Sequence, residues 1–393
     1  MSSRPGGNAA TAPAPPQAPT VRRSSTAQPA WVRLLGDRLP ERAHGVSADT
    51  RTSTDPKAAR PARGHGPRRR GRGRTWARAA CALALAVPAA LLLVRLTGSD
   101  AGTLLAVPLV LLPHSAVLCL LVLGVTAGVP ALRSRGTAAA ATVLAVAQIL
   151  LMAPRFVSDA PSVPPSASEL RVATINTDAG AVDPHAVAEM VRAERIDVLA
   201  VEQTPSAGLA ALDTAGLDAL LPYRELHPEY DSSIYSRLPL SRAGTTRADT
   251  AWPQTTAGVA VGARTVRFVA VHTYYPLGDA DRWTRDMTAL ASLARDGGAD
   301  TVFLGDFNAT LDHTPMRALL AAGLTDTHAE LGRGWAPTWP VGTGIVPPLV
   351  QLDHVLHGPG LAGVSVRERT LAGTDHRAVI AVLAVLPPPR DTH

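Results

Sequence analysis

The sequence predicts an α+β domain over residues 169–388, carried behind three membrane-spanning helices. Three observations lead there. Strand-like apolar runs alternate with helical patterns from Arg171 to Leu386, over a length that suits one large domain. Ahead of them stand three apolar runs, each near the ~20 residues that cross a bilayer. The charge is also divided: residues 1–167 carry 20 basic and 6 acidic side chains, and the remainder 18 and 26. The overall pI of about 10 therefore describes the N-terminal part alone.

Residues 1–76 are rich in Pro, Ala, Ser, Thr and Arg without apolar periodicity, the composition of a disordered segment. Its basic end, Arg63 to Arg78, reads as the cytoplasmic flank of a membrane helix rather than a nucleic-acid arm. Residues 77–156 hold the apolar runs Ala79–Leu96, Leu104–Leu132 and Thr137–Ala153. Pro88, Pro108 and Pro113 are compatible with spans, because neighbouring helices re-satisfy the freed carbonyls. Arg133 and Arg135 lie between the second and third runs, whereas Thr97–Thr103 contains Asp100 and no basic residue. The positive-inside rule then places the N-terminus in the cytoplasm and everything after Ala153 outside, on a multi-pass protein of the plasma membrane. Residues 157–168 read as a Pro/Ser-rich linker and 389–393 as a tail. The two cysteines, Cys81 and Cys119, sit in the apolar runs, which excludes a disulfide framework and a Cys-based zinc site.

Within 169–388, Arg171–Asn176 is a strand, and Asp183-Pro184 supplies an N-cap and N1 proline for a helix to about Glu194. Asp197–Val201 is a buried strand that ends at Glu202. Ser232–Tyr235, Gly258–Val261 and Val266–His272 read as strands, with a hairpin turn at Gly262-Ala263-Arg264. A helix from Asp279 or Asp281 to about Arg295 precedes strand Thr301–Leu304. Thr314–Ala322 is a further helix, and Leu352–Leu356 and Val379–Leu386 are the closing strands.

Asn176, Glu202, His272, Asp306 and Asp353 each read as falling at or near the C-terminal end of such a strand. If the strands form two packed sheets, these ends converge on one rim. Gly305-Asp306-Phe307-Asn308 directly after a strand presents a carboxylate and a carboxamide on one side of an extended chain. Thr374-Asp375-His376-Arg377 places an acid beside an imidazole just before the last strand.

These blocks, with Val172–Asn176, Asp197–Glu202, Ser232–Leu240, Phe268–Thr273 and Leu352–Leu356, occur in the order found in the endonuclease/exonuclease/phosphatase superfamily, which the domain resembles. The resemblance implies a four-layer α/β/β/α sandwich and metal-dependent hydrolysis of phosphoesters. It implies Glu202 as the main ligand of Mg²⁺ (Mn²⁺ as a substitute), with Asn176 and Asp375 on the metal side. It implies His376 oriented by Asp353, Asp306 and Asn308 placing water and phosphate, and His272 donating to a phosphoryl oxygen. The general base stays open between Asp306 and His376. Two departures are Ile175 where a Trp often precedes the Asn, and Gln203 after rather than before the metal Glu. Asp178 is either a metal-side helper or a turn residue.

Thr338-Trp339-Pro340 resembles a Thr-Trp stretch of the family, in which Trp339 either walls the site or, the favoured reading, fills core; Tyr274 and Tyr275 are expected to contact substrate or pack, and Arg237 to be structural. His185, His227, His313, His328 and His357 are expected at the surface or in loops, and His354 on the strand face opposite Asp353. The substrate is a nucleic acid or a phospholipid head group, the bilayer is the other partner, and no protein partner is inferable. The rival from a different class is an inactive, membrane-tethered binding module with the same fold.

Overall fold

The computed structural model describes residues 68–342, 344 and 346–387. The disorder expected of residues 1–67 and the tail 389–393 lie outside the described residues. The disordered segment was expected to continue to residue 76, but helix α1 spans Arg68–Ala84 and thus begins inside it. A single turn residue, Leu85, separates α1 from α2, Ala86–Thr97. Helix α3 covers Leu112–Gly128 and α4 covers Arg135–Met152.

Among the described residues two helical stretches are long and apolar enough to cross a membrane, Gly73–Thr97 and Arg135–Phe156. The expected middle span is shorter. Its apolar run is broken into Ala106–Leu109, α3 and a 3₁₀ turn at Pro130–Leu132, which leaves 17 residues of continuous helix. Proline accounts for both breaks, since Pro113, at the second position of α3, and Pro130 supply no N–H to a preceding turn. The helices hold together by small and polar contacts: Ser115 donates to Gln148 at 2.9 Å, and Gln148 donates to the Pro88 carbonyl at 3.4 Å. Their outer faces are apolar. Of the 25 exposed large hydrophobic residues described, 19 lie between Trp76 and Val157.

The C-terminal domain is built on two six-stranded sheets. The first has the order β11-β12-β1-β2-β4-β3, comprising Leu361–Thr370, Arg377–Val385, Ser168–Asn176, Val198–Glu202, Ser232–Ser236 and Tyr223–His227. The second has the order β5-β6-β7-β8-β10-β9: Leu240–Thr245, Thr255–Val261, Arg264–His272, Thr301–Asp306, Asp353–His357 and Thr325–Asp326. Each sheet has one parallel pair, β1 with β2 and β7 with β8. The turn between β6 and β7 is two residues, Gly262-Ala263, with Arg264 already paired to Val261, one residue tighter than the sequence reading. Gly262 takes φ +60°, which such a turn requires.

Alternation along the strands sorts side chains into layers. Val172, Val198, Ala200, Phe268, Leu304 and Val355 fill the space between the sheets. Ala173, Ile175 and Leu199 point outward against α5 (Pro184–Glu194) and α6 (Ser206–Thr214). Val269, Val271 and Phe303 meet α7 (Pro276–Gly297) and α8 (Thr314–Ala321) on the opposite side. Helices thus cover both outer faces of a pair of sheets.

Candidate active site

Inter-sheet parity carries into the site. Asn176 continues Val172 and Thr174, Glu202 continues Val198 and Ala200, His272 continues Phe268 and Ala270, and Asp306 continues Val302 and Leu304. Asp353 departs from the expected C-terminal placement: it opens β10, two residues before Val355 on the same face, and reaches the rim because β10 runs antiparallel to β8. Register completes the convergence, because Asn176 pairs with Glu202, His272 with Asp306, and Asp306 with Asp353. The polar cluster is therefore the end of the apolar core itself, which explains why all five side chains are buried.

Asn176 Nδ2 donates to Asp306 Oδ2 at 3.0 Å across the gap between sheets, while its Oδ1 accepts from Asp178 N at 3.0 Å. Asp306 Oδ1 accepts from Asn308 N at 2.8 Å, and Asn308 holds φ +48° with its amide on the Thr273 carbonyl at 3.2 Å. His376 Nδ1 donates to Asp353 Oδ2 at 2.8 Å. Its Nε2 lies 3.9 Å from Asp306 Oδ2 and 3.8 Å from Asp375 Oδ1. Burial disfavours the charged imidazole, but Asp353, then Asp306 and Asp375, outweigh it and push His376 up to about 10. Asp306 moves up as well, first by burial and then by the nearby Asp353.

Glu202 is fully buried, and burial first, then Asp353 and Asp306, push its carboxyl well above the usual range. Its Oε1 accepts from Thr174 at 2.7 Å, whereas Oε2 has no partner. An orphaned carboxylate oxygen in a buried site costs free energy that a bound cation would offset. By distance alone Asp306, Asp353 and His376 also qualify as a cation cluster, with ligand-type atoms within 4.8 Å of one another. Asp353 Oδ1 is also without a partner, but its other oxygen is held by His376, whereas the Glu202 carboxylate has no imidazole on it and is the better seat. The donor set is oxygen-rich and suits a hard divalent cation.

Asp375 stands at the rim, its carboxylate half-exposed and accepting from Trp339 Nε1 at 2.9 Å. Trp339 thus borders the site, the less favoured of its two readings. Asp178, at φ +49°, has its carboxyl raised by burial and then by Asp375, which sets it beside the rim. His272 Nδ1 bonds Asp231 Oδ2 at 3.0 Å, and its ring stacks on Trp252 with centroids 5.4 Å apart. Tyr274 and Tyr275 continue that stack outward at 5.6 and 5.0 Å.

Several supporting contacts lie beyond the sequence reading, which names Thr338 and Thr374 only as parts of their motifs. Thr338 Oγ1 accepts from Asp353 N at 3.2 Å, Thr374 Oγ1 donates to the Asn176 carbonyl at 2.7 Å, and Gln254 brackets the His272 backbone. Asp286 accepts from Ala251 N and Tyr274 N, fixing the segments that carry Trp252 and Tyr274. Thr374 had a signal, since it adjoins the Asp-His pair; Asp231, Trp252 and Asp286 act through space and had none.

Of the histidines expected at the surface or in loops, His313 does lie in a loop, but it, His328 and His357 are all buried because each has a partner. His313 meets the Ala106 carbonyl, His328 meets Glu368, and His357 meets Glu330. His354 lies on the face opposite Asp353, bonded to Asp326 and the Ala309 carbonyl. Arg237 braces Asp197, a structural contact.

Residues 173–376 match the Endonuclease/Exonuclease/phosphatase family. The chain belongs to that family. It is accordingly a metal-dependent phosphoester hydrolase. No curated protein sequence matches it. Similar solved structures include a D. rerio TDP2 humanized by 14 mutations, at 15% identity and TM-score 0.47, covering 55% of this chain and 98% of that one. Sphingomyelinase C from Streptomyces griseocarneus aligns at 17% identity and TM-score 0.38, covering 55% and 99%. A family protein from Beutenbergia cavernae aligns at 18% identity and TM-score 0.43, covering 56% and 73%.

Proposed function

We propose that the chain is a membrane-anchored, extracytoplasmic, Mg²⁺-dependent phosphoester hydrolase. The observation that carries the reading is the buried end of the core, where an imidazole held by Asp353 faces Asp306 across from the unpartnered oxygen of Glu202. Glu202, with Asn176 and Asp375 beside it, would hold the cation, which when bound supplies charge neutralisation at the phosphoryl oxygens. Asp306 and Asn308 place the attacking water and the phosphate, and His272 donates to a non-bridging oxygen. Asp306 and His376 share the proton handling. Water oxygen bonds to phosphorus, the ester P–O bond breaks, and the departing oxygen leaves with a proton.

The anchor is supported by the arrangement of the helices. The α2 C-terminus, the α3 N-terminus and the α4 C-terminus all stand at the catalytic domain. The opposite end carries Arg74, Arg78, Arg133 and Arg135, with Arg78 donating to the Ala131 carbonyl at 3.1 Å. Three antiparallel crossings with the basic end in the cytoplasm satisfy the positive-inside rule.

The test is hydrolysis of bis(p-nitrophenyl) phosphate by the detergent-solubilised full chain, with EDTA and His376→Ala as controls. Mg²⁺-dependent turnover lost in both controls supports the reading, and turnover that survives His376→Ala overturns it. Cysteine-accessibility labelling at an introduced Glu189→Cys in intact cells tests the extracytoplasmic placement.

A further inference from the structure

Resting on that reading of the chain as a membrane-anchored hydrolase, we infer that its substrate is a lipid-linked phosphoester, taken at the bilayer surface. The inference comes from where the helices dock. They seat on the same end of the sandwich as the catalytic residues, against the loops that carry them.

Asp312 lies six residues after Asp306 on the loop that leaves β8. Its carboxylate is fully buried between Arg95, near the end of α2, and Arg155, just after α4. On the next residues, Asp100 accepts from both the backbone and hydroxyl of Thr314 at 2.7 Å, and the Ala106 carbonyl meets His313 at 2.9 Å. Gly102 N donates to Thr284 of α7 at 2.8 Å. A second loop, leading to Thr338 and Asp353, touches the anchor through Trp335, whose ring lies edge-on to His114 at 5.1 Å.

Chain length turns these contacts into a bound. Six residues reach at most about 20 Å, so Asp306 stands within about 20 Å of the Arg95 contact, two residues from the end of the first apolar stretch. The reacting centre is therefore held near the level where a lipid head group leaves the hydrocarbon layer.

The rim chemistry agrees. Among the described residues of the catalytic domain few large hydrophobic side chains are exposed, and Tyr275, Leu277 and Trp335 are three of them. Trp335 adjoins the start of α3, and Tyr275 and Leu277 open α7, which the anchor touches at Thr284. Aromatic and apolar side chains at that level are what an interface favours. A polyanionic nucleic acid would need free cations here. Four arginines nearest the anchor are committed instead: Arg95 and Arg155 to Asp312, Arg317 to the Arg95 carbonyl and Thr314, Arg282 to Asp286.

The experiment compares two esters with the same leaving group, using the full chain in phosphatidylcholine vesicles: hexadecyl p-nitrophenyl phosphate in the bilayer and bis(p-nitrophenyl) phosphate in solution. Trp335→Ser and Leu277→Ser are expected to lower the ratio of lipid-ester to soluble-ester kcat/KM by about tenfold. An unchanged ratio in both variants, or nicking of supercoiled plasmid in preference to the lipid ester, overturns the inference. Quenching by brominated phosphatidylcholine of the fluorescence lost in Trp335→Phe, measured in a Glu202→Gln background, reads the placement without turnover. Its absence overturns the inference. Quenching in a protein that hydrolyses neither ester keeps the membrane-level rim and rejects the hydrolase reading.

Discussion

Arg155→Ala in the full chain removes the stronger half of the clamp on Asp312. Arg155 donates to both carboxylate oxygens, at 3.1 and 2.5 Å, whereas Arg95 makes one contact at 3.4 Å. Asp312 is wholly buried and Arg155 is only 13% exposed, so water does little to replace the lost partner. Breaking a buried pair from one side costs about 3–5 kcal/mol. With Arg95 still in place the lower figure applies, about 3 kcal/mol, and Arg95→Ala should cost about 1. At roughly 2–4 °C per kcal/mol for a domain of this size, Arg155→Ala should melt about 6–12 °C below the parent in detergent. Adding Asp312→Asn should recover a good part of that loss, because an amide tolerates burial better than an unpaired carboxylate. The difference also has a pH signature. Burial pushes the Asp312 carboxyl up, but Arg155 and Arg95 outweigh it and hold it below its usual value. A depressed folded value stabilises above the unfolded pKa of about 3.9 and is lost as pH falls through the lower one, so the gap between parent and variant should shrink below about pH 4. Equal melting shifts for Arg155→Ala and Arg95→Ala would refute the reasoning.

Three further outcomes follow from the site and the sheets. Glu202→Gln should raise the melting temperature in EDTA, since its buried carboxyl is costly to ionise, yet lower Mg²⁺ affinity at least ~10-fold by calorimetric titration; a melting temperature below the parent's in EDTA would contradict this. Asp353→Asn frees the His376 ring and should cut turnover of a soluble phosphodiester by about 10²–10⁴; near-parental turnover would count against the orienting role. Gly305→Ala would bring a Cβ to 1.9 Å from the Val271 carbonyl oxygen at φ +146°, and should give no folded domain by circular dichroism. A cooperative, parent-like melt would show that the strands can part there.

The sequence displayed the site better than the edges of the fold. Asn176, Glu202, His272, Asp306 and Asp353 were legible because each interrupts a run of apolar residues at a strand end; their common face comes from the pairing of the sheets. Strand β11 went unseen: a bulge between Gly363 and Ser365 shifts its alternation, and Arg367, Glu368 and Arg369 make its end look like loop. The short edge strands β5 and β9 lack a buried face long enough to show a pattern. The buried histidines were misread for a related cause. Each is made tolerable by a carboxylate or carbonyl that is distant in sequence, such as Glu330 for His357, and composition carries no trace of such a partner.

The segment expected to be a loose tether is stitched down. Ser158 Oγ and Asp159 N both donate to the Glu330 carbonyl, at 3.0 and 3.1 Å, and a Cβ at Gly334 would fall 2.6 Å from Arg155 Cβ. If the helices stand in a bilayer, the catalytic mouth has neither a hinge to swing on nor slack to rise with. It would work at a fixed height, like a cutter on a rail, and would meet the proposed lipid ester by lateral drift in the leaflet. Its rate would then follow the number of ester groups per unit area of membrane instead of their concentration in the surrounding water, and a head group that places its phosphate too high or too low would pass uncut however abundant it is.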